Sequence, residues 1–531
     1  MFSFLIAVLY FLFRLITWGS ILALPLGIAY YFYLKHRSTY FQRIGLPHPP
    51  VTSLFLGNLG DFERDQKQHE KIIEWSKKYG STFGFLDGGA PTIVTSDPEI
   101  INEVFVKQYY TFQARKFHPS FALDQKNNPA VNVFFAQGNQ WKRLRALFAG
   151  SLATGKIKAA DPIIKRAAQE LIEVFKNHEN GVVDVVPQIL NFTFAVISRS
   201  ALGIDEEFGK STYLNRVLEI LSLGETTKKP VSAFFAGTYE FLPVTQYLWI
   251  LSQILGNRNF KFRDEMWYKI DKAINIRSKE SSKEKSERHQ DFLDFLYEAE
   301  DTSFNIKNKE DLDLKVPKKL TREELIQSAR GFLIAGADTT ATLLNYCLYE
   351  LAKHPECEEA IIQEIEDFIN SEDDITYNNV TNLKYLDRFV KEVARFHPLA
   401  FIVTARRAIH STNLKTSDGK LITIEKGVSI LADSFTIQMD ERIWGPGAKE
   451  FNPDRFLPEN SENRHPMAWL PFGGGPRICP GKNLALHEAK AVLIFLLRKF
   501  KFELSNETKT DIVTDTITNF KELKMKVVPR L

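Results

Sequence analysis

Apolar residues recur along this chain mostly at helical spacing. Residues 66–79 follow the rhythm of an amphipathic helix and stop at Gly80. Phe83–Leu86 and Pro91–Thr95 flank Asp87-Gly88-Gly89-Ala90, a pattern that predicts a β-hairpin. Thr321 and Glu324 form a capping box that opens one long helix over residues 321–353, closed by His354-Pro355. At about 1.5 Å per residue it is roughly 50 Å long, enough to cross a large domain. A further helix is expected from Lys482 to Leu496. The whole reads as a mainly α fold with small β-sheets. It lacks the strand–helix alternation of a dinucleotide fold, so no nicotinamide or flavin site of its own is expected.

The N-terminal pattern differs. Leu15–Leu34 holds 20 residues without a charge, and Arg14 is the single charge in residues 2–34. About 20 apolar residues span a bilayer as a helix, so residues 1–34 are expected to be a membrane anchor. Pro25 and Gly27 would kink it, which a spanning helix tolerates. Trp18, Tyr30, Tyr31 and Tyr33 suit the interfaces, and Lys35, His36, Arg37 and Arg43 place the C-terminal side in the cytoplasm. The alternative is a cleaved signal peptide, but the apolar region is too long and no small-residue cleavage site follows. Residues 35–50, with Pro47, Pro49 and Pro50, read as a Pro-rich linker that stiffens into an extended spacer. Residues 51–531 contain no second linker. The charged stretches 278–290 and 299–319 read as solvated loops on one domain.

Composition narrows this only slightly. At 531 residues length alone predicts several domains, while 44% hydrophobic residues fit a globular body. A net charge of +3 is too small to imply a nucleic-acid partner. Three cysteines, Cys347, Cys357 and Cys479, exclude a disulfide framework and fit a reducing compartment.

The sharpest chemical signal is Phe472-Gly473-Gly474-Gly475-Pro476-Arg477-Ile478-Cys479-Pro480-Gly481. Four glycines and two prolines in ten residues exclude regular structure and make a rigid loop that can approach something flat and bulky. Arg477 and the following helix N-terminus both favour a thiolate at Cys479. The plainer reading is a buried free cysteine, which suits Cys347 and Cys357, each within a helix.

The loop resembles the haem-binding signature of the cytochrome P450 family, Phe-x-x-Gly-x-Arg-x-Cys-x-Gly, matched at Phe472, Gly475, Arg477, Cys479 and Gly481. The resemblance implies a cytochrome P450-type fold with an N-terminal transmembrane helix, 51–531 being the haem-binding catalytic domain. Cys479 would be the axial thiolate of haem b (iron protoporphyrin IX), Arg477 a propionate partner, and Phe472 a neighbour of the sulfur. Thiolate ligation favours O–O cleavage. Other motifs follow in the family's order. Trp141 and Arg145 resemble the Trp-x-x-x-Arg pair on a propionate, and Arg406 stands at another propionate position, with Arg407 as the alternative. Glu392 and Arg395, followed by Phe451-Asn452-Pro453-Asp454-Arg455-Phe456, resemble the Glu–Arg–Arg cluster that locks the loop under the haem. Ala335-Gly336-Ala337-Asp338-Thr339-Thr340 resembles the oxygen-activation motif. There Gly336 would open a groove, Thr339 would hold water near O₂, and Asp338 would relay protons, a general-acid role. The competing reading is a set of polar residues on a solvated face.

The likeness is closest to the microsomal, reductase-dependent branch. Gln140-Trp141-Lys142-Arg143-Leu144-Arg145 and Asp291-Phe292-Leu293-Asp294 look like the animal steroid- and drug-oxidising clan. It implies a monooxygenase in the endoplasmic reticulum membrane, using O₂ and electrons from NADPH through a partner reductase, with cytochrome b5 as a further donor. Lys142, Arg143, Arg464 and Lys482 are candidates for a basic docking surface. An apolar pocket would be lined from 107–136, Phe332, Ala335, Phe401-Ile402-Val403, Ile517 and Phe520. The aromatic run in 231–250 reads either as core or as a lid dipping into the bilayer. Two other functions share these motifs: a haem-thiolate isomerase or dehydratase, disfavoured by Thr339, and a haem sensor, disfavoured by Asp338 and Thr339.

Overall fold

A computed structural model describes residues 24–116, 132–211, 214, 268, 270–280, 291–298, 320–416, 419–514 and 517–530. The 231–250 run, the 299–319 stretch and most of 278–290 lie outside the described residues.

The long helix runs from Arg322 to Lys353. Glu324 N donates to Thr321 Oγ1 at 3.2 Å and Thr321 N to Glu324 Oε2 at 3.1 Å, so the capping box closes as the sequence predicts. Leu325, Ala329, Leu333, Ala337, Leu344 and Leu348 are all buried, as in a helix enclosed by neighbours on several sides. Its nearest neighbour is the helix Val185–Leu202. That helix is apolar and long enough to cross a membrane, but 78% of it is buried inside the fold, and it is a core helix. The two helices touch at Gly336, where an added Cβ would stand 2.7 Å from Ile197 Cδ1. This glycine permits close packing against Ile197.

The helix expected over 66–79 begins at Gln68, because Asp65 and Gln66 adopt left-handed backbone conformations ahead of it. The hairpin forms from Thr82–Asp87 and Ala90–Thr95. It extends through Ser429–Ala432 and Arg406–Arg407 to Ala114–Arg115 in a five-stranded sheet. This order carries residues from opposite ends of the sequence, Arg115 and Arg406, to one strand pair.

The described end of the expected anchor, 24–38, is helical, with Leu24, Leu26, Ile28 and Phe32 exposed. Its remainder lies outside the described residues. Tyr40, Phe41 and Leu46 are buried against the sheet, so the start of the Pro-rich stretch packs onto the body.

Candidate active site

The cysteine loop is built by two glycines and one strap. Gly473 and Gly475 take left-handed backbone conformations, with φ of 70° and 66°, which turn the chain back on itself. The Cys479 amide then donates to Phe472 O at 2.9 Å, closing the loop. At Gly475 a side chain has no room, because its Cβ would fall on Phe105 O. The helix Lys482–Leu497 starts directly after Gly481. Cys479 is open at its surface, yet the protein packed around it raises its thiol above the ordinary value, while the amides of Gly481 and Lys482 and the charges of Arg145 and Arg115 pull it down.

Beneath the loop lies a buried polar anchor. Arg395 and Glu392 pair bidentately at 2.6 and 2.7 Å, both fully buried. Arg455 Nε reaches Glu392 at 3.7 Å, completing the expected cluster. Arg395 also donates to Gln438 O at 2.6 Å and Ala448 O at 2.8 Å. The Gln438 side chain in turn accepts from Leu470 N at 2.8 Å, two residues before Phe472. The cluster therefore grips the stem of the cysteine loop through Gln438.

Above it, cations converge. Arg477 is buried, lies 4.9 Å over the Trp141 ring, and donates to Phe134 O at 3.2 Å and to Ala136 O. Arg406 is buried over the Phe105 ring at 4.5 Å, its Nη1 donating to Thr404 O at 2.7 Å. Burial pushes Arg406 down to about 9, helped by Arg477, and Arg477 down to about 10. Burial also lowers half-buried Arg145, with Cys479 opposing. Among the described residues, no carboxylate contributes to the field at Arg145, Arg406 or Arg477. Of the two candidates at 406 and 407, it is Arg406 that turns inward to this group.

On the long helix, Ala335 is exposed between buried Leu333 and Ala337, so packing does not enclose this turn on every side. Thr339 Oγ1 donates to Ala335 O at 2.7 Å, one turn back. Asp338 and Thr339 are both half-buried.

A profile described as Cytochrome P450 matches residues 47–527. The chain is 31% identical over 528 residues to cytochrome P450 cyp-13B1 of Caenorhabditis elegans, covering 94% of this chain and 97% of that one. It is likewise 31% identical to cytochrome P450 CYP13A2 of Caenorhabditis elegans, covering 97% and 99%. The chain belongs to the cytochrome P450 family.

A cytochrome P450 is a haem-thiolate monooxygenase that uses O₂. The donor set here fits haem. One thiol faces two backbone amides, and buried guanidiniums without a carboxylate among them are the counterpart of a cofactor bearing two carboxylates. Trp141, Arg145, Arg406, Arg477 and Cys479 are linked by these contacts. Gly481 is less constrained, since its added Cβ would meet Cys479 Sγ at an ordinary 3.9 Å.

Two residues of this P450 were invisible to sequence reasoning. Arg115 pairs in register with Arg406, lies 4.1 Å over the Phe134 ring, and donates to Val403 O at 2.5 Å and Arg477 O at 3.5 Å. Burial, then Arg406 and Arg477, hold it well below its ordinary value, with Cys479 opposing. Tyr109 packs against Trp141 in a tilted pair at 5.3 Å and supports the charge of Arg477. Neither sits in a motif; the only signal was an arginine within a segment already expected to line the pocket. The basic docking surface needs correction. Arg143 is buried and pairs with Glu324 of the capping box, and Arg464 and Lys482 are half-buried against Trp444 and Trp469. Lys142 alone of the four is exposed.

Proposed function

We propose that this cytochrome P450 inserts one oxygen atom of O₂ into a lipophilic substrate (a steroid, a fatty acid or a foreign compound), the other atom leaving as water. In this reading Cys479 is the iron ligand, and Arg477, Arg145, Arg406 and Trp141 hold the haem propionates, joined by Arg115. Phe472, Gly475 and Gly481 shape the loop around the sulfur. When bound, the haem supplies oxygen activation and the oxidation of an unactivated C–H bond.

The chain's own part is binding, orientation and proton delivery. Thr339 is half-buried one turn after the exposed Ala335, and its hydroxyl, now donating to Ala335 O, is the group to hold water there. Asp338 precedes it and serves as the proton donor. Positioned proton transfer of this kind contributes about 10²–10⁴-fold. Electrons come from NADPH through a separate reductase, with cytochrome b5 as a second donor. The exposed Leu24, Leu26, Ile28 and Phe32, continuing the uncharged Leu15–Leu34 stretch, support attachment to the endoplasmic reticulum membrane with the catalytic domain in the cytoplasm.

The observation that carries this reading is Cys479, strapped by Phe472 O beneath a group of buried arginines. The test is oxygen consumption by the purified protein with NADPH, reductase and fractionated lipids or sterols. Coupled formation of a hydroxylated product is expected. Conversion of a substrate without O₂ or reductase would instead favour the isomerase.

A further inference from the structure

We propose that His69 is a positioning residue for substrate selectivity: through Thr514 it fixes the paired strands Ile512–Thr514 and Thr518–Phe520 and so sets the shape of the pocket beside Ile517. This rests on the proposed function and on the expectation that Ile517 and Phe520 line the substrate pocket.

The hairpin is small. Ile512–Thr514 and Thr518–Phe520 pair over three residues each, and a two-stranded ribbon of that size is marginal by itself. Its position must therefore come from tethers to other elements. Tyr346 Oη donates to Thr518 O at 3.0 Å, and Thr518 N donates to Leu399 O at 2.8 Å. Tyr346 lies seven residues after Thr339, two turns along the same face of the long helix and roughly 10 Å away. The hairpin is thus docked on the face that carries Thr339.

The third tether comes from the far side. His69 is 8% exposed, and its Nδ1 lies 2.6 Å from Thr514 Oγ1, which lies 3.2 Å from Thr518 Oγ1. Thr514 and Thr518 are register partners, so the imidazole grips both strands at one rung. Glu70 Oε1 stands 3.8 Å from His69 Nε2 and favours the tautomer with a proton there. In that tautomer Nδ1 accepts from the Thr514 hydroxyl, whose oxygen accepts from Thr518. Each buried hydroxyl is then satisfied, which makes the arrangement costly to leave. The Phe435 ring, 5.9 Å away, limits the imidazole on its other side.

The test uses the haem-loaded full chain and optical titration with imidazole, 1-methylimidazole and 1-dodecylimidazole, whose ring nitrogen reports ligation of the iron. His69→Phe and Thr514→Val should leave imidazole affinity and the carbonyl spectrum unchanged, but shift the dodecyl-to-methyl affinity ratio by about five-fold or more. His69→Gln, which can still hydrogen-bond Thr514, should restore the ratio. An unchanged ratio in Thr514→Val overturns the proposal, even where His69→Phe fails to fold. If the parent protein gives no nitrogen-ligated haem spectrum, the functional reading fails, and the proposal with it.

Discussion

Arg115 and Arg406 stand opposite one another in register on adjacent antiparallel strands, two guanidiniums brought to one point of the interior. Burial disfavours the charge of each, with Arg406 adding to the effect at Arg115 and Arg477 adding to it at Arg406. Among the described residues no carboxylate contributes at Arg406, so an anion that joins it there stabilises its charge.

This gives a pH dependence with a definite sign. Arg406 is lowered from the ordinary arginine value to about 9, so between the two the unfolded chain binds more protons than the haem-free fold. Its contribution to stability therefore rises with pH through that window and is least favourable below it. Arg406→Met should stabilise the haem-free protein at pH 7 by roughly 1–2 kcal/mol, with a smaller gain at pH 10. The same variant should lose haem faster. Urea unfolding at both pH values and haem transfer to an excess of a globin check this; lower stability at pH 7 with unchanged haem retention contradicts it.

Gln438 is a second point of leverage. Its fully buried side chain accepts from Leu470 N and donates to Arg395 O at 2.7 Å. Gln438→Leu strands both backbone groups, at a cost of about 1–3 kcal/mol for each. The expected outcome is a protein with retained helix content but a loosened cysteine loop, seen as partial loss of the thiolate-type carbonyl spectrum on mild heating. A spectrum as heat-resistant as the parent's would remove Gln438 from the anchor.

The two glycines of the signature should separate. Gly475→Ala combines a left-handed backbone with a Cβ that falls on Phe105 O, and should yield no haem-loaded protein. Gly481→Ala meets only Cys479 Sγ at 3.9 Å and should retain haem. Expression with haem quantification distinguishes them.

Thr339→Ala should keep the haem and its carbonyl spectrum while releasing peroxide in place of product, because the hydroxyl that holds water is gone. Product formed per NADPH is expected to fall about ten-fold or more. Unchanged coupling would remove Thr339 from proton delivery.

Much of this was legible because local physics and short motifs carried it. The capping box at Thr321 and Glu324, the turn at Asp87-Gly88-Gly89-Ala90 and the glycines around Cys479 each act within a few residues. Arg115 was not legible, because its significance comes from a sheet that joins it to Arg406 across most of the chain. The packing partner of Gly336 was hidden for a related reason: it lies on the neighbouring helix, at Ile197. Arg143 looked like a surface cation until Glu324 was found beside it, since a sequence does not reveal which charge has a buried partner.

The most direct measurement is the absorption spectrum of the purified protein, reduced under carbon monoxide, beside that of Cys479→His. The parent is expected to show the red-shifted band of a thiolate-ligated carbonyl, and the variant to lose it while Cys347→Ala and Cys357→Ala keep it. A histidine-type band, or no haem at all, in the parent would contradict the assignment of Cys479.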